Sequence, residues 1–362
     1  MNTQKFLTEP NLVDLSKSIV NKVLGKSFFE LRFNNLLNEK ISDAETINFV
    51  LADGLGFKNM QESNSWLNKH TTRSIYTTFP SSTNVALSSL SLANNPGKTG
   101  IISYFMYDKK YNNLINALVW NSENKDLIEN EFYKKQKTIW NELNEAGVFF
   151  NIFQPKNLIN STLSNFIYLN HKVVGYQDNE DLHEIMSDSI FLENKFNFIY
   201  YPKIDVAAHL FGIGSIEWSK EIFEFEKFIN KLNSSTNKKT YTVITADHGL
   251  INISNDHKYE INYSEETIIY GDQRSVFVNG DKNKIYKTFN KVPGEIIDKL
   301  ELQKYFELTD DIIFDRIFPD FCFLAKDSTI VVPKHLKAPL IGYHGGLSET
   351  EMLIPIIEIS NY

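Results

Sequence analysis

The chain has 362 residues, 42% of them apolar and 23% charged, enough to bury a large core in one α/β domain with a sizeable insertion or in two domains. Its 37 basic and 45 acidic residues leave a net charge of -8, which gives no electrostatic reason to expect a nucleic-acid backbone as a standing partner. The single cysteine, Cys322, lies in an apolar run and excludes a disulfide or a cysteine zinc site, so any metal must be held by His and Asp.

Residues 1–20 mix charge with single hydrophobes and carry no signal-peptide core. No stretch approaches the roughly 18 apolar residues of a membrane span, so no membrane partner and a cytoplasmic location are expected. Leu12, Leu15, Ile19 and Val23 recur at helical spacing, and Phe28–Leu37 continues the pattern, so residues 1–45 read as an N-terminal helical extension. Residues 46–52 (TINFVLA) form a continuous apolar run ending at Asp53-Gly54, the pattern of a buried parallel strand delivering a residue at its carboxyl end. Arg73–Thr78 is a second candidate strand, and Thr83–Ala93 reads as a helix with Ser and Thr at its start.

Gly147–Phe153, Phe196–Tyr201 and Thr240–Ala246 are further strand-like runs, and Ser215–Leu232 is an amphipathic helix. The order predicts an α/β fold over 46–362: an open, mainly parallel central sheet sandwiched by helices, its functional groups at the carboxyl ends of the strands. The segment 101–195 is longer than one crossover requires and reads as an inserted cap. Its aromatics, among them Tyr104, Phe105, Tyr107, Tyr111, Trp120, Phe132 and Tyr133, supply a cap core, with one or two candidates to stack on a planar substrate group.

Seven residues at strand ends and helix starts carry the chemistry: Asp53, Thr83, Asp205, His209, Asp247, His248 and His344. Three carboxylates, three imidazoles and a hydroxyl are the inventory of a two-metal hydrolytic site with its own nucleophile. Asp205 and His209, four positions apart on one helix face, can chelate one ion. Thr83 at a helix N-terminus suits an attacking hydroxyl and a bound phosphate, with Ser81 and Ser82 as rivals that chemistry alone does not rank.

The pieces FVLADGLG, TTFPSSTNVALSSLSLA, DVAAHLFG, ADHGL and HGGLSETEM, followed by Leu-Ile-Pro, occur in this order from Phe49 to Pro355. Jointly they resemble the alkaline phosphatase superfamily, in its nucleotide pyrophosphatase/phosphodiesterase-like branch. The resemblance implies two Zn²⁺ ions, with Mn²⁺ as the alternative metal. Asp53, Asp247, His248 and Thr83 would bind one, and Asp205, His209 and His344 the other. It places the nucleophile ten residues before the small residue closing its helix, Ala93, and so selects Thr83. The implied activity is hydrolysis of phosphodiester or pyrophosphate bonds in nucleotides or small organic phosphates through a phospho-threonine intermediate. The alternatives are a phosphomonoesterase or phosphonate hydrolase on the same fold and, from another class, a metal-stabilised binding protein without turnover. Where family members place a phosphate-gripping asparagine this chain has Tyr104, with Asn84 as the candidate replacement. No motif decodes the substrate or the oligomeric state.

Overall fold

The strands Thr46–Ala52, Phe196–Tyr201 and Thr240–Thr245 are buried at every position, as parallel strands covered on both faces must be. They form the middle of a seven-stranded sheet in a computed structural model that describes residues 5–119, 131–169, 171–187, 195–234, 237–308, 312–334 and 336–362. Its spatial order is Thr71–Tyr76, Leu353–Ser360, Thr240–Thr245, Thr46–Ala52, Phe196–Tyr201, Phe150–Pro155 and Val173–Tyr176. Leu353–Ser360 runs antiparallel to both its neighbours, and the remaining pairings are parallel. A buried amide ladder helps fix the register: Asn151 Nδ2 donates to Asn197 Oδ1 (2.9 Å), and Asn197 Nδ2 donates to Asn48 Oδ1 (3.0 Å).

The helices fall into two groups. Leu12–Leu24, Thr83–Leu92, Ile139–Glu145 and Thr162–Tyr168 pack on one another, while Asn179–Ser187 and Lys203–Phe211 pack on Ile216–Ser234. The Leu12–Leu24 helix starts at an Asn11/Asp14 capping box and stops at Gly25 in the left-handed region (φ 64°). It is not an extension to the domain. Asn11 bridges to Tyr76 at the sheet edge, and Ser16 Oγ donates to Leu90 O in the Thr83 helix at 2.7 Å. The expected helical continuation over Phe28–Leu37 is absent: the segment has irregular backbone, with Asn35 in the left-handed region (φ 67°), and the N–H groups of Phe28 and Phe29 donate to Asn21 Oδ1.

The expected cap over 101–195 also needs correcting. Phe150–Pro155 and Val173–Tyr176 belong to the main sheet. A second, antiparallel six-stranded sheet instead joins Phe105–Asp108 and Asn113–Asn116 to Ile268–Gly271, Ser275–Asn279, Phe321–Ala325 and Gly294–Asp298. Its own core forms around Val276, Val278, Ile285, Phe289 and Phe323. Of the cap aromatics, Tyr133 is buried and donates to Gly100 O (2.9 Å), and Tyr107 packs on Tyr270; Trp120 lies outside the described residues. Among the described residues, no helix is long and apolar enough to cross a membrane.

Candidate active site

Each site residue arrives at the carboxyl edge of the main sheet by a short route. Asp53 directly follows Thr46–Ala52, Asp205 and His209 sit on the helix after Phe196–Tyr201, and Asp247 and His248 follow Thr240–Thr245. Close approach explains the glycines beside them. Gly54 has φ 73°, and a Cβ there would lie 2.8 Å from Asp205 Cα; at Gly249 a Cβ would lie 2.1 Å from Thr350 O. His344 comes from the loop before Leu353–Ser360.

The three rival hydroxyls separate by their partners. Ser81 Oγ donates to Gly346 O (2.8 Å) and accepts Gly345 N–H (3.1 Å), and Ser82 Oγ donates to Asp272 Oδ1 (2.6 Å). Both serines are fully buried, whereas Thr83 is part-exposed and its Oγ1 lies 3.0 Å from His248 Nε2.

The other candidates surround that pair. His248 Nε2 lies 3.3 Å from Asp247 Oδ2 and 3.6 Å from Asp53 Oδ1, and His209 Nε2 lies 3.3 Å from Asp205 Oδ2. The His248 and His344 rings stack with centroids 3.7 Å apart, and His209 sits 5.1 Å from His344. A carbonyl only accepts, so His344 Nδ1 donates to Ser81 O and His209 Nδ1 to Gly342 O, each at 2.8 Å. In His344, which burial keeps neutral, that puts the proton on Nδ1 and leaves Nε2 with its lone pair.

Burial dominates the electrostatics. It pushes Asp53 well above the usual carboxylate range, with the Asp247 and Asp205 charges adding to it, although Tyr200 Oη donates to Asp53 Oδ2 at 2.5 Å. Burial likewise raises Asp205 to about 6, and it raises Asp247, whose Oδ1 accepts Gly54 N–H at 3.0 Å. His248 falls to about 3 and His344 well below the usual imidazole value, first by burial and then by the neighbouring imidazoles. Asp53 Oδ1, Asp205 Oδ1, Asp247 Oδ2 and His248 Nδ1 are buried without a hydrogen-bond partner.

Neutral imidazoles beside uncompensated carboxylates are the donor set that a divalent cation satisfies, so these residues fit a metal. Two trios have ligand atoms within 4.8 Å of one another: Asp53, Asp247 and His248, and Asp205, His248 and His344. The first gathers three of the four residues assigned from the sequence to one ion, without Thr83. In the second, His248 stands where His209 was expected; His248 stacks on His344, and His209 lies against Asp205.

Of the two substrate candidates, Asn84 keeps its side-chain Oδ1 without a hydrogen-bond partner. It is fully buried, and its Nδ2 donates to Ser103 O at 2.8 Å, so it supports the chain leading to Tyr104. Tyr104 is part-exposed; its N–H donates to Asp272 Oδ2 (3.1 Å), and its Oη accepts from Asn116 Nδ2 (3.2 Å). Sequence reasoning missed Tyr200 and the supports from the second sheet. Arg274 Nε and Nη2 donate to Glu351 at 2.6 and 3.0 Å, Glu351 Oε1 accepts Gly346 N–H (2.8 Å), and Ser275 Oγ donates to Gly345 O (2.5 Å). Asp272, raised to about 7 by burial, completes this set.

A mainly parallel sheet flanked by helices gathers carboxylates and imidazoles at its carboxyl edge, and the sequence family of the chain places it among the phosphoester hydrolases of the alkaline phosphatase superfamily. The chain belongs to the type I phosphodiesterase/nucleotide pyrophosphatase family, whose sequence pattern matches residues 49–299. No curated protein sequence matches it. Murine ectonucleotide pyrophosphatase/phosphodiesterase 5, solved as an inactive threonine-to-alanine variant with AMP, is 14% identical with a TM-score of 0.66, over 86% of this chain and 87% of that one. Human ectonucleotide pyrophosphatase/phosphodiesterase 5 gives 14% identity and a TM-score of 0.62, over 86% and 87% of the two chains. Phosphonoacetate hydrolase from Sinorhizobium meliloti 1021, solved with phosphonoacetate, gives 14% and 0.62, over 87% and 90%. At such identities the likeness concerns the fold.

Proposed function

We propose that this chain is a zinc-dependent hydrolase of phosphodiester or pyrophosphate bonds in nucleotides or small organic phosphates, with Thr83 as its nucleophile. The observation that carries the reading is the 3.0 Å approach of Thr83 Oγ1 to His248 Nε2, amid three buried carboxylates and two further imidazoles. Asp53, Asp247 and His248 would hold one ion beside Thr83, and Asp205 and His344, with His209 adjacent, the other. Zinc or, alternatively, manganese would neutralise phosphate oxygens and activate the attacking and leaving oxygens.

Thr83 Oγ1 attacks phosphorus as the bond to the leaving alcohol or phosphate breaks, the hydroxyl proton ending on the leaving oxygen, and a phospho-threonine is left. Water then attacks the same phosphorus, and the bond to Thr83 Oγ1 breaks, regenerating the hydroxyl. The helix start at Thr83 favours the negative charge carried through both steps. The inactivity of a threonine-to-alanine variant of the murine relative is in keeping with an essential threonine.

A phosphonate hydrolase is the second reading, favoured by the likeness to the Sinorhizobium meliloti enzyme. A phosphomonoesterase has less support, since the buried Arg274 guanidinium is taken up by Glu351 and Thr329 O. The deciding experiment compares kcat/KM of the zinc-loaded protein on a nitrophenyl nucleotide diester, nitrophenyl phosphate and phosphonoacetate. Preference for the diester supports the first reading; turnover of phosphonoacetate alone replaces it with the second. Thr83→Ala is expected to abolish turnover with about two metals still bound per chain, and retained activity would remove Thr83 from its role.

A further inference from the structure

Ser82 occupies the N-cap position of the Thr83–Leu92 helix with extended backbone angles (φ -130°, ψ 137°), yet its side chain makes no capping bond. A serine placed there ordinarily accepts from the N–H groups of the first helical turn. Here its hydroxyl instead donates to Asp272 Oδ1 at 2.6 Å, a charge-assisted bond when Asp272 is ionised. Asp272 sits at the tip of the hairpin between Ile268–Gly271 and Ser275–Asn279, buried to 8% exposure. Its other oxygen accepts Tyr104 N–H at 3.1 Å. Gly345, next to His344, packs so closely that a Cβ there (φ 102°) would lie 2.7 Å from Asp272 Cβ. One side chain therefore touches the neighbour of the nucleophile, the neighbour of a site imidazole, and the backbone of Tyr104.

We propose that Asp272 is a positioning residue for attack by Thr83: it holds Ser82 away from the helix end and fixes Thr83 against the His344 loop. The inference rests on the reading of Thr83 as nucleophile. Two consequences follow from the geometry. The first-turn N–H groups are not occupied by the Ser82 hydroxyl and stay oriented for the negative charge that develops on the transferred phosphoryl group. The direction of Thr83 Oγ1 is set by a bond from the adjacent residue to a rigid hairpin, and small errors in that direction cost rate more than binding.

The test is a double-mutant cycle of Ser82→Ala and Asp272→Asn, with Thr83→Ala alongside, on the zinc-saturated full chain and a nitrophenyl nucleotide diester. Asn keeps the size of Asp272 but cannot accept from both Ser82 and Tyr104 in the same way. Each single variant is expected to lower kcat about tenfold or more, with KM and metal per chain within about twofold of the parent, and the double variant to be no slower than the slower single one. Kcat within about twofold of the parent in both folded single variants, or losses that multiply in the double, would overturn the proposal. If Asp272→Asn does not fold, Ser82→Ala decides alone by the same criterion. A merely structural role would lower the unfolding temperature or metal content and leave kcat of the loaded enzyme unmoved. An active Thr83→Ala would instead overturn the nucleophile reading itself.

Discussion

His248 and His344 stack face to face, with ring centroids 3.7 Å apart and planes inclined by 15°. Two imidazolium ions at that separation would repel strongly, and burial holds both rings in the neutral, ligand-competent form. The carboxylates around them are pushed the other way, Asp205 to about 6. In the metal-free protein a carboxyl group with a raised folded value binds its proton more tightly when folded. Its stabilisation is complete below the unfolded value and is lost as pH rises through the folded one. Without metal, stability should therefore fall from about pH 4 to pH 6 on account of Asp205. Bound metal compensates the ionised carboxylates, so the gap in unfolding temperature between zinc-loaded and chelator-treated protein should widen from pH 5 to pH 7. Thermal unfolding at the two pH values checks this; a constant or narrowing gap contradicts it.

Ser81 and Thr83 should respond oppositely to truncation. Ser81 Oγ joins Gly346 O to Gly345 N–H and so clips the His344 loop to the start of the Thr83 helix. Ser81→Ala leaves buried groups unpaired and should cost about 1–3 kcal/mol of stability. Thr83→Ala removes a part-exposed hydroxyl and should cost less stability while ending turnover. Denaturant unfolding together with single-turnover assays separates the two; equal stability losses would show that the Ser81 clip contributes little.

The seven candidate residues were picked out because each stands beside a local signal: the end of an apolar run, a helix start, a nearby glycine that permits close approach, or an i, i+4 spacing. Ranking Ser81, Ser82 and Thr83 was not possible from the residues alone, since their roles depend on partners at Gly346, Asp272 and His248 that are remote in the chain. Asp272 also follows a strand and a glycine, but its importance depends on Ile268–Gly271 meeting Phe105–Asp108, a pairing that no periodicity encodes. The same limit explains the cap, whose sheet takes strands from two distant segments. Phe28–Leu37 misled for a different reason: its apolar spacing suits a helix, while its backbone is irregular and enters the left-handed region at Asn35.

Arg274 and Glu351 form a buried, bidentate ion pair, both side chains almost wholly removed from water, and Glu351 also accepts Gly346 N–H. Removing one partner strands the other charge, so Arg274→Met or Glu351→Leu should each cost about 3–5 kcal/mol. The double variant, lacking any stranded charge, should be more stable than either single variant yet still bind metal less tightly, because the His344 loop loses its anchor. Chemical denaturation and chelator competition measure both effects. A double variant less stable than both singles would mean that the pair is not the dominant electrostatic element there.

Gly54 offers the sharpest steric test of the site. Its backbone lies at φ 73°, and a Cβ would approach Asp205 Cα to 2.8 Å and Leu250 Cδ1 to 2.8 Å. Alanine at this position meets both a disfavoured backbone conformation and two heavy-atom clashes, one of them with main chain that cannot rotate away. Relief requires Asp205 to move relative to Asp53, which separates the two carboxylates that the cluster brings together. Gly54→Ala should therefore cost about 1–3 kcal/mol of stability and also weaken metal binding. Gly147→Ala shares a positive φ of 73° but meets nothing within 4 Å, so it should show the backbone penalty alone. Zinc stoichiometry and unfolding measured on both variants isolate the steric part; equal metal binding by the two would show that Asp53 and Asp205 tolerate the displacement.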